Sequence, residues 1–173
     1  MIQWILQQTI SRAEKRVGVE LDYARKIART DFGLLLRYGK IFSFLDPKKT
    51  VPAEAYHIAR LRGAISADCG TCVEAEINLA KAAGVSGQMI DAVLRAEYDG
   101  LPEALAAVAR LADAVVRDRI DAAEEREIVL RAFGDAGLIE LSFAMTGAAL
   151  LPGIKRAMGY ATTCDLETIR KMR

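Results

Sequence analysis

The sequence has little of what would assign it to a special environment. No segment reaches the ~20 consecutive apolar residues that a bilayer span needs. The opening Met1-Ile2-Gln3-Trp4-Ile5-Leu6-Gln7-Gln8 has neither a charged leader nor a continuous apolar run, so a soluble, unprocessed chain with no membrane partner is expected. Three cysteines in 173 residues, two of them close together, are too few for an extracellular disulfide framework, and the expected location is cytoplasmic. Lys and Arg number 24 against 23 Asp and Glu, which leaves no net field to draw in nucleic acid. No glycine-rich loop of the dinucleotide- or phosphate-binding kind occurs, so no organic cofactor is implied. Aromatic residues make up 6% and there is one histidine, so any imidazole chemistry falls to His57.

What remains is an ordinary globular composition, 52% hydrophobic and 27% charged. A chain of this length buries about 70% of its unfolded surface and needs no disulfide or metal to hold a core. Apolar residues recur at three- and four-residue steps, and no β-branched run alternates with polar residues, which predicts a single all-α domain. The first helix carries Ile2, Ile5, Leu6, Ile10, Ala13 and Val17 and stops near Gly18. A second runs from about Asp22 through Ile41 to a stop at Asp46-Pro47. Pro52 opens a third, reaching about Ala67, and a fourth runs from near Cys69 to a left-handed cap at Gly84.

Ser86 caps a short helix through Leu94, and Leu101-Pro102 starts another, lined by Leu105, Val108, Leu111 and Val115. Asp121 and Glu124 have capping-box spacing for a helix to about Phe133. Gly134 and Gly137 bracket a loop, and a last helix runs from Leu138 to Leu151, stopping at Pro152-Gly153. Residues 1–50 read as an N-terminal helical extension, 52–160 as the core and 161–173 as a tail. Apolar faces before Pro52 exceed what the core needs, which predicts a homo-oligomer.

Chemistry concentrates in Asp68-Cys69-Gly70-Thr71-Cys72-Val73-Glu74-Ala75-Glu76. At a helix start, unsatisfied N–H groups and the macrodipole favour a thiolate. Two thiols three residues apart can condense to a disulfide once one has become a sulfenic acid. Cys72 and Glu76, spaced i, i+4, share a face. If the third and fourth helices are antiparallel about Ala67 and Asp68, the ~1.5 Å rise per residue sets His57 at nearly the height of Glu76. Thiol, carboxylate and imidazole together can take a proton from sulfur and return one to a leaving group. The helix field alone favours Cys69 as the reactive sulfur.

These residues resemble the carboxymuconolactone decarboxylase family, in its cysteine-containing alkyl hydroperoxidase D-like branch. The resemblance rests on His57-Ile58-Ala59-Arg60-Leu61-Arg62-Gly63-Ala64, Cys69-Gly70-Thr71-Cys72 and Ala80-Lys81-Ala82-Ala83-Gly84-Val85-Ser86. It continues through Leu138-Ile139-Glu140-Leu141 to Ala157-Met158-Gly159. It implies a helical bundle of that type, usually oligomeric, in which Cys72 attacks, Cys69 resolves, and a glutamate and a histidine relay the proton. The family's glutamate position is occupied here by His57 and its histidine position by Glu76, so the relay pair is exchanged.

The expected function is a thiol-dependent antioxidant oxidoreductase, a peroxidase or disulfide reductase. Its substrate would be a hydroperoxide or disulfide, and its reductant a partner protein or small thiol. Alternatives are a lactone decarboxylase-like lyase and a non-enzymatic redox sensor that changes oligomer. Zinc on Cys69, Cys72, His57 and Glu76 is chemically allowed, although no metal is expected. Cys164 reads as incidental or semi-buried, and Arg60 and Arg62 as partners of neighbouring acids, of another subunit or of an anionic substrate.

Overall fold

The computed structural model describes residues 2–43, 45 and 50–167. It is all-helical, with no strand among the described residues. Helix α1 (Ile2–Val17) closes at Gly18, whose φ of +71° lies where glycine is unstrained. The side chains of Ile2 and Ile5, expected on its apolar face, are outside the described residues.

The long second helix is divided into α2 (Asp22–Thr30) and α3 (Phe32–Lys40). Between them Asp31 is extended and its Oδ1 accepts the Leu34 N–H at 2.8 Å, so a side-chain cap ends one ladder and starts the next. A 3₁₀ turn, Ile41–Ser43, follows. The stop expected at Asp46-Pro47 lies outside the described residues.

Helices α4 (Ala53–Ser66), α5 (Gly70–Ala82), α6 (Gly87–Arg95) and α7 (Glu103–Ala112) begin where the sequence signals place them. Ser86 Oγ accepts the Met89 N–H at 3.2 Å, and Gly84 closes α5 with φ +89°. Helix α7 then widens into a π turn, Asp113–Asp118, and α8 (Ala123–Ala157) completes the bundle.

Three expected features of α8 are corrected. Ala122, not Asp121, is the N-cap, because Arg126 holds the Asp121 carboxylate. The Gly134–Gly137 loop shrinks to a kink at Gly134 (φ 69°, ψ 179°), while Gly137 stays helical and buried. Pro152-Gly153 does not end the helix. Pro152 is buried within it, and Leu151 and Ile154 on either side pack against the N-terminal helices, burial that offsets the lost ladder bond.

Helix α4 is buried on nearly every face, with Ala55, Ile58, Ala59, Leu61 and Ala64 in a core shared with α5, α7 and α8. A central helix of this kind has no polar stripe. Its approach to α8 needs Gly63, since a Cβ there would lie 2.1 Å from the Met145 carbonyl oxygen. A second, smaller core of Ile10, Tyr23, Ala24, Ala28 and Tyr38 rests on Leu151, Ile154 and Met158. The N-terminal helices therefore lean on the far end of α8.

By length and composition α8 could cross a membrane. Its Val129, Leu141, Ala144 and Met145 nevertheless lie in the core shared with α4 and α7. Phe32, Leu36, Phe42, Ile139 and Leu150 remain exposed.

Candidate active site

The turn between α4 and α5 passes through Asp68, whose φ is +49°. Cys69 follows as the N-cap of α5 and is 0% exposed, while Cys72, one turn into the helix, is half-buried. The opening N–H groups of α5 are taken up by the tail after α8. The Gly70 N–H donates to the Thr162 carbonyl and the Thr71 N–H to Thr162 Oγ1, each at 3.2 Å. Arg156 clamps the same turn by donating to the carbonyl oxygens of Ala67 and Asp68. Only glycine fits at position 70, where a Cβ would stand 2.8 Å from the Thr163 carbonyl oxygen.

The cation beside the thiols comes from α8. Lys155 is 5% exposed; its Nζ donates to Thr71 Oγ1 at 2.6 Å and lies 5.1 Å from the centroid of the Tyr23 ring. Thr71 Oγ1 is in turn 3.6 Å from Cys69 Sγ. A hydrogen bond from the Cys72 thiol lowers the pKa of Cys69 to about 5, against burial, with help from the Thr71 hydroxyl and the Lys155 charge. The same shared proton, together with burial, pushes the Cys72 thiol well up, and Lys155 opposes that. At rest the pair holds one proton and one negative charge, centred on Cys69. An open pocket of about 390 Å³ between the α1–α2 turn and the start of α5 has Tyr23, Thr71 and Lys155 in its wall.

Glu76 is committed elsewhere. Both of its carboxylate oxygens accept from Arg60, at 2.7 Å each, inside the protein, where Glu76 is 6% exposed. Arg60 also donates to the Leu45 carbonyl and to the Tyr56 hydroxyl. The His57 ring stands edge-on to Tyr56, and its buried Nδ1 has no hydrogen-bond partner. Burial, then the Arg60 charge, lowers the His57 pKa, with Glu76 pulling the other way, so the imidazole is neutral near pH 7. Fold and height thus place His57 and Glu76 in one neighbourhood, but Arg60 holds the carboxylate.

Arg62 likewise pairs with an acid. Its Nε donates to Asp113 Oδ1 at 2.6 Å, and the Tyr98 hydroxyl donates to Asp113 Oδ2 at 2.7 Å. Among the described residues no three His, Cys, Asp or Glu side chains are grouped to hold a metal ion.

Lys155 and Thr162 are absent from the sequence-based site. Thr71 could have been found as a hydroxyl inside the C-x-x-C pair. Lys155 lies 84 residues from Thr71 in the chain and carries no local signal. No family model, curated protein or solved structure matches the chain.

Proposed function

We propose that this protein is a thiol-dependent oxidoreductase of the alkyl hydroperoxidase D-like kind, reducing a hydroperoxide or a disulfide through Cys69 and Cys72. The observation that carries the reading is the buried Lys155 ammonium. It donates to the Thr71 hydroxyl, lies near the Tyr23 ring and acts on both sulfurs. A cation, a hydroxyl and a helix start around a close thiol pair are the surroundings in which cysteine is reactive rather than inert.

Cys72, the less buried sulfur, attacks, and its proton passes to the Cys69 thiolate as it does so. The Cys72 sulfur bonds to the outer peroxide oxygen, the O–O bond breaks, and the departing alkoxide takes a proton from Lys155, which solvent restores. The Cys69 thiol then attacks the sulfenic sulfur, water leaves, and the disulfide closes. Two electrons have moved from the thiols to the peroxide, and an external dithiol or small thiol returns them.

Arg60 answers the difficulty posed by the exchanged relay. A free carboxylate one turn from Cys72 would oppose a thiolate, whereas one bonded through both oxygens to a guanidinium has its charge balanced. Glu76 is then a positioning residue tying α5 to α4, and the proton moves among Cys69, Thr71 and Lys155. Stopped-flow mixing of reduced protein with cumene hydroperoxide tests the reading. Cys72→Ser should abolish peroxide consumption, and Cys69→Ser should leave a sulfenic acid on Cys72 that dimedone traps. The opposite pattern reverses the two sulfurs, and no reaction in the unmodified protein removes the reading.

A redox-sensing role is favoured by one observation, the exposure of Phe32, Leu36, Ile139 and Leu150, apolar side chains of the kind a second subunit covers. A sensor changes mass in solution between reduced and oxidised forms without turning over. The lyase reading needs a free acid and base, and Glu76 is bound to Arg60.

A further inference from the structure

The third thiol has no partner in sequence, but the fold returns it to the pair. The Cys164 N–H donates to Asp68 Oδ1 at 2.9 Å, and its Cα lies 3.7 Å from the place a Cβ on Gly70 would occupy. The two residues it touches flank Cys69 in the chain. Cys72 and Cys164 also pack on the same apolar core. Cys69 is 0% exposed and lies behind the tail, whereas Cys164 is half-buried. A disulfide closed between Cys69 and Cys72 therefore turns its inner sulfur toward the tail rather than toward solvent.

We infer that Cys164 is an exchange thiol: after Cys69 and Cys72 have joined, the Cys164 sulfur attacks the Cys69 sulfur, forming a Cys69–Cys164 disulfide and releasing Cys72. The inference rests on the redox reading of the pair. One S–S bond breaks and one forms, so no further oxidant is needed. The proton leaving Cys164 is balanced by the one Cys72 regains beside Lys155.

Local charge sets the order of events. Burial, with the negative charges of Asp68 and Cys69 added to it, pushes the Cys164 thiol up to about 11 and keeps it protonated at rest. Closing the first disulfide removes the charge on Cys69, and with it one of the restraints on Cys164. Exchange is thereby confined to the oxidised state. Its product pins the tail across the start of α5, frees Cys72 for a second oxidant, and offers an external dithiol the sulfur of Cys164 in place of a buried one.

Tryptic peptides separate the possible linkages, because Cys69 and Cys72 share the peptide 63–81 while Cys164 lies alone in 157–170. Reduced full-length protein would be given one equivalent of cumene hydroperoxide, quenched with N-ethylmaleimide at intervals, and mapped by mass spectrometry without reduction. An oxidised 63–81 peptide should appear first and give way to a 63–81/157–170 cross-link containing one alkylated cysteine, which fragmentation places at Cys72. Cys164→Ser should stop at the first species. An oxidised 63–81 with Cys164 fully alkylated at all times overturns the exchange but leaves the redox pair standing. A cross-link that persists in Cys69→Ser overturns the assignment to Cys69. Three fully alkylated cysteines would remove the redox reading itself.

Discussion

Two buried cations of this protein meet different surroundings. Arg60 on α4 faces Glu76 on α5, and the guanidinium satisfies both carboxylate oxygens. Lys155 on α8 faces a hydroxyl, a tyrosine ring and two thiols. The first charge is closed off within a pair, which holds two helices in register and leaves nothing to act on a substrate. The second is balanced by the negative charge the cysteines share, which appears and vanishes with their redox state. Burial alone does not distinguish a reactive site from a structural one; what the partner's charge can do decides it.

The widest gap between the two sites should come from removing the Arg60 partner. Glu76→Leu leaves a guanidinium buried without its counter-ion and should cost about 3–5 kcal/mol in denaturant unfolding. Combining it with Arg60→Met should recover much of that loss, because no lone charge remains. A cost under about 1 kcal/mol for Glu76→Leu would dissolve the distinction.

Gly70→Ala should come next, at about 1–3 kcal/mol from overpacking against the tail, with faster alkylation of Cys69 as the tail moves off. Slower or unchanged alkylation would contradict the tail's role as its cover. Lys155→Met keeps the apolar stem and should cost less than Glu76→Leu, because the thiol pair can take up a proton once the ammonium is gone. It should slow peroxide consumption at pH 7 by roughly tenfold, corresponding to about one pKa unit on the thiols. A Lys155→Met variant as unstable as Glu76→Leu and equal to the parent in rate would make the two cations equivalent.

The smallest effect is expected at the imidazole. His57→Phe removes a buried nitrogen that makes no hydrogen bond, so stability should shift by no more than about 1 kcal/mol. The peroxide rate should stay within about twofold, and a hundredfold loss would restore the imidazole to the proton route.

Stability should also follow pH with a definite sign. The Cys69 pKa is lowered on folding, so the unfolded chain binds the extra proton. Its contribution is complete above the ordinary thiol range of ~8.5 and is lost as pH falls through about 5. Urea midpoints should decline across that window in the parent and stay flatter in Cys69→Ser.

Much of the helical framework was legible because its signals are local. Ser86, Gly84, Pro52 and Pro102 act within one turn of where they stand. The break at Asp31 was hidden because an aspartate inside an apolar periodicity reads equally as a surface residue or a cap. Pro152 misled in the other direction: its stop signal is real, but tertiary burial of its neighbours overrides it.

At the site, the thiol pair was visible as spacing and its ionisation as a helix-start effect. Helix rise sets His57 level with Glu76 but does not fix rotation about the axes. Arg60, three residues on and almost one turn along the same face, has the longer, forked side chain and reaches the carboxylate. Lys155, Thr162 and Cys164 come from the far end of the chain, where only the folded topology could bring them in.

Cys69 carries a thiolate held by the Cys72 thiol, the Thr71 hydroxyl and the Lys155 charge, and thiolate absorbance near 240 nm followed against pH reads that charge directly. The protein should titrate one thiolate with a midpoint near 5, and Lys155→Met should move that midpoint upward toward the ~8.5 of a free thiol. A parent midpoint already near 8.5 would mean that no thiolate is held at neutral pH, and one that Lys155→Met leaves in place would mean that the ammonium has no part in holding it.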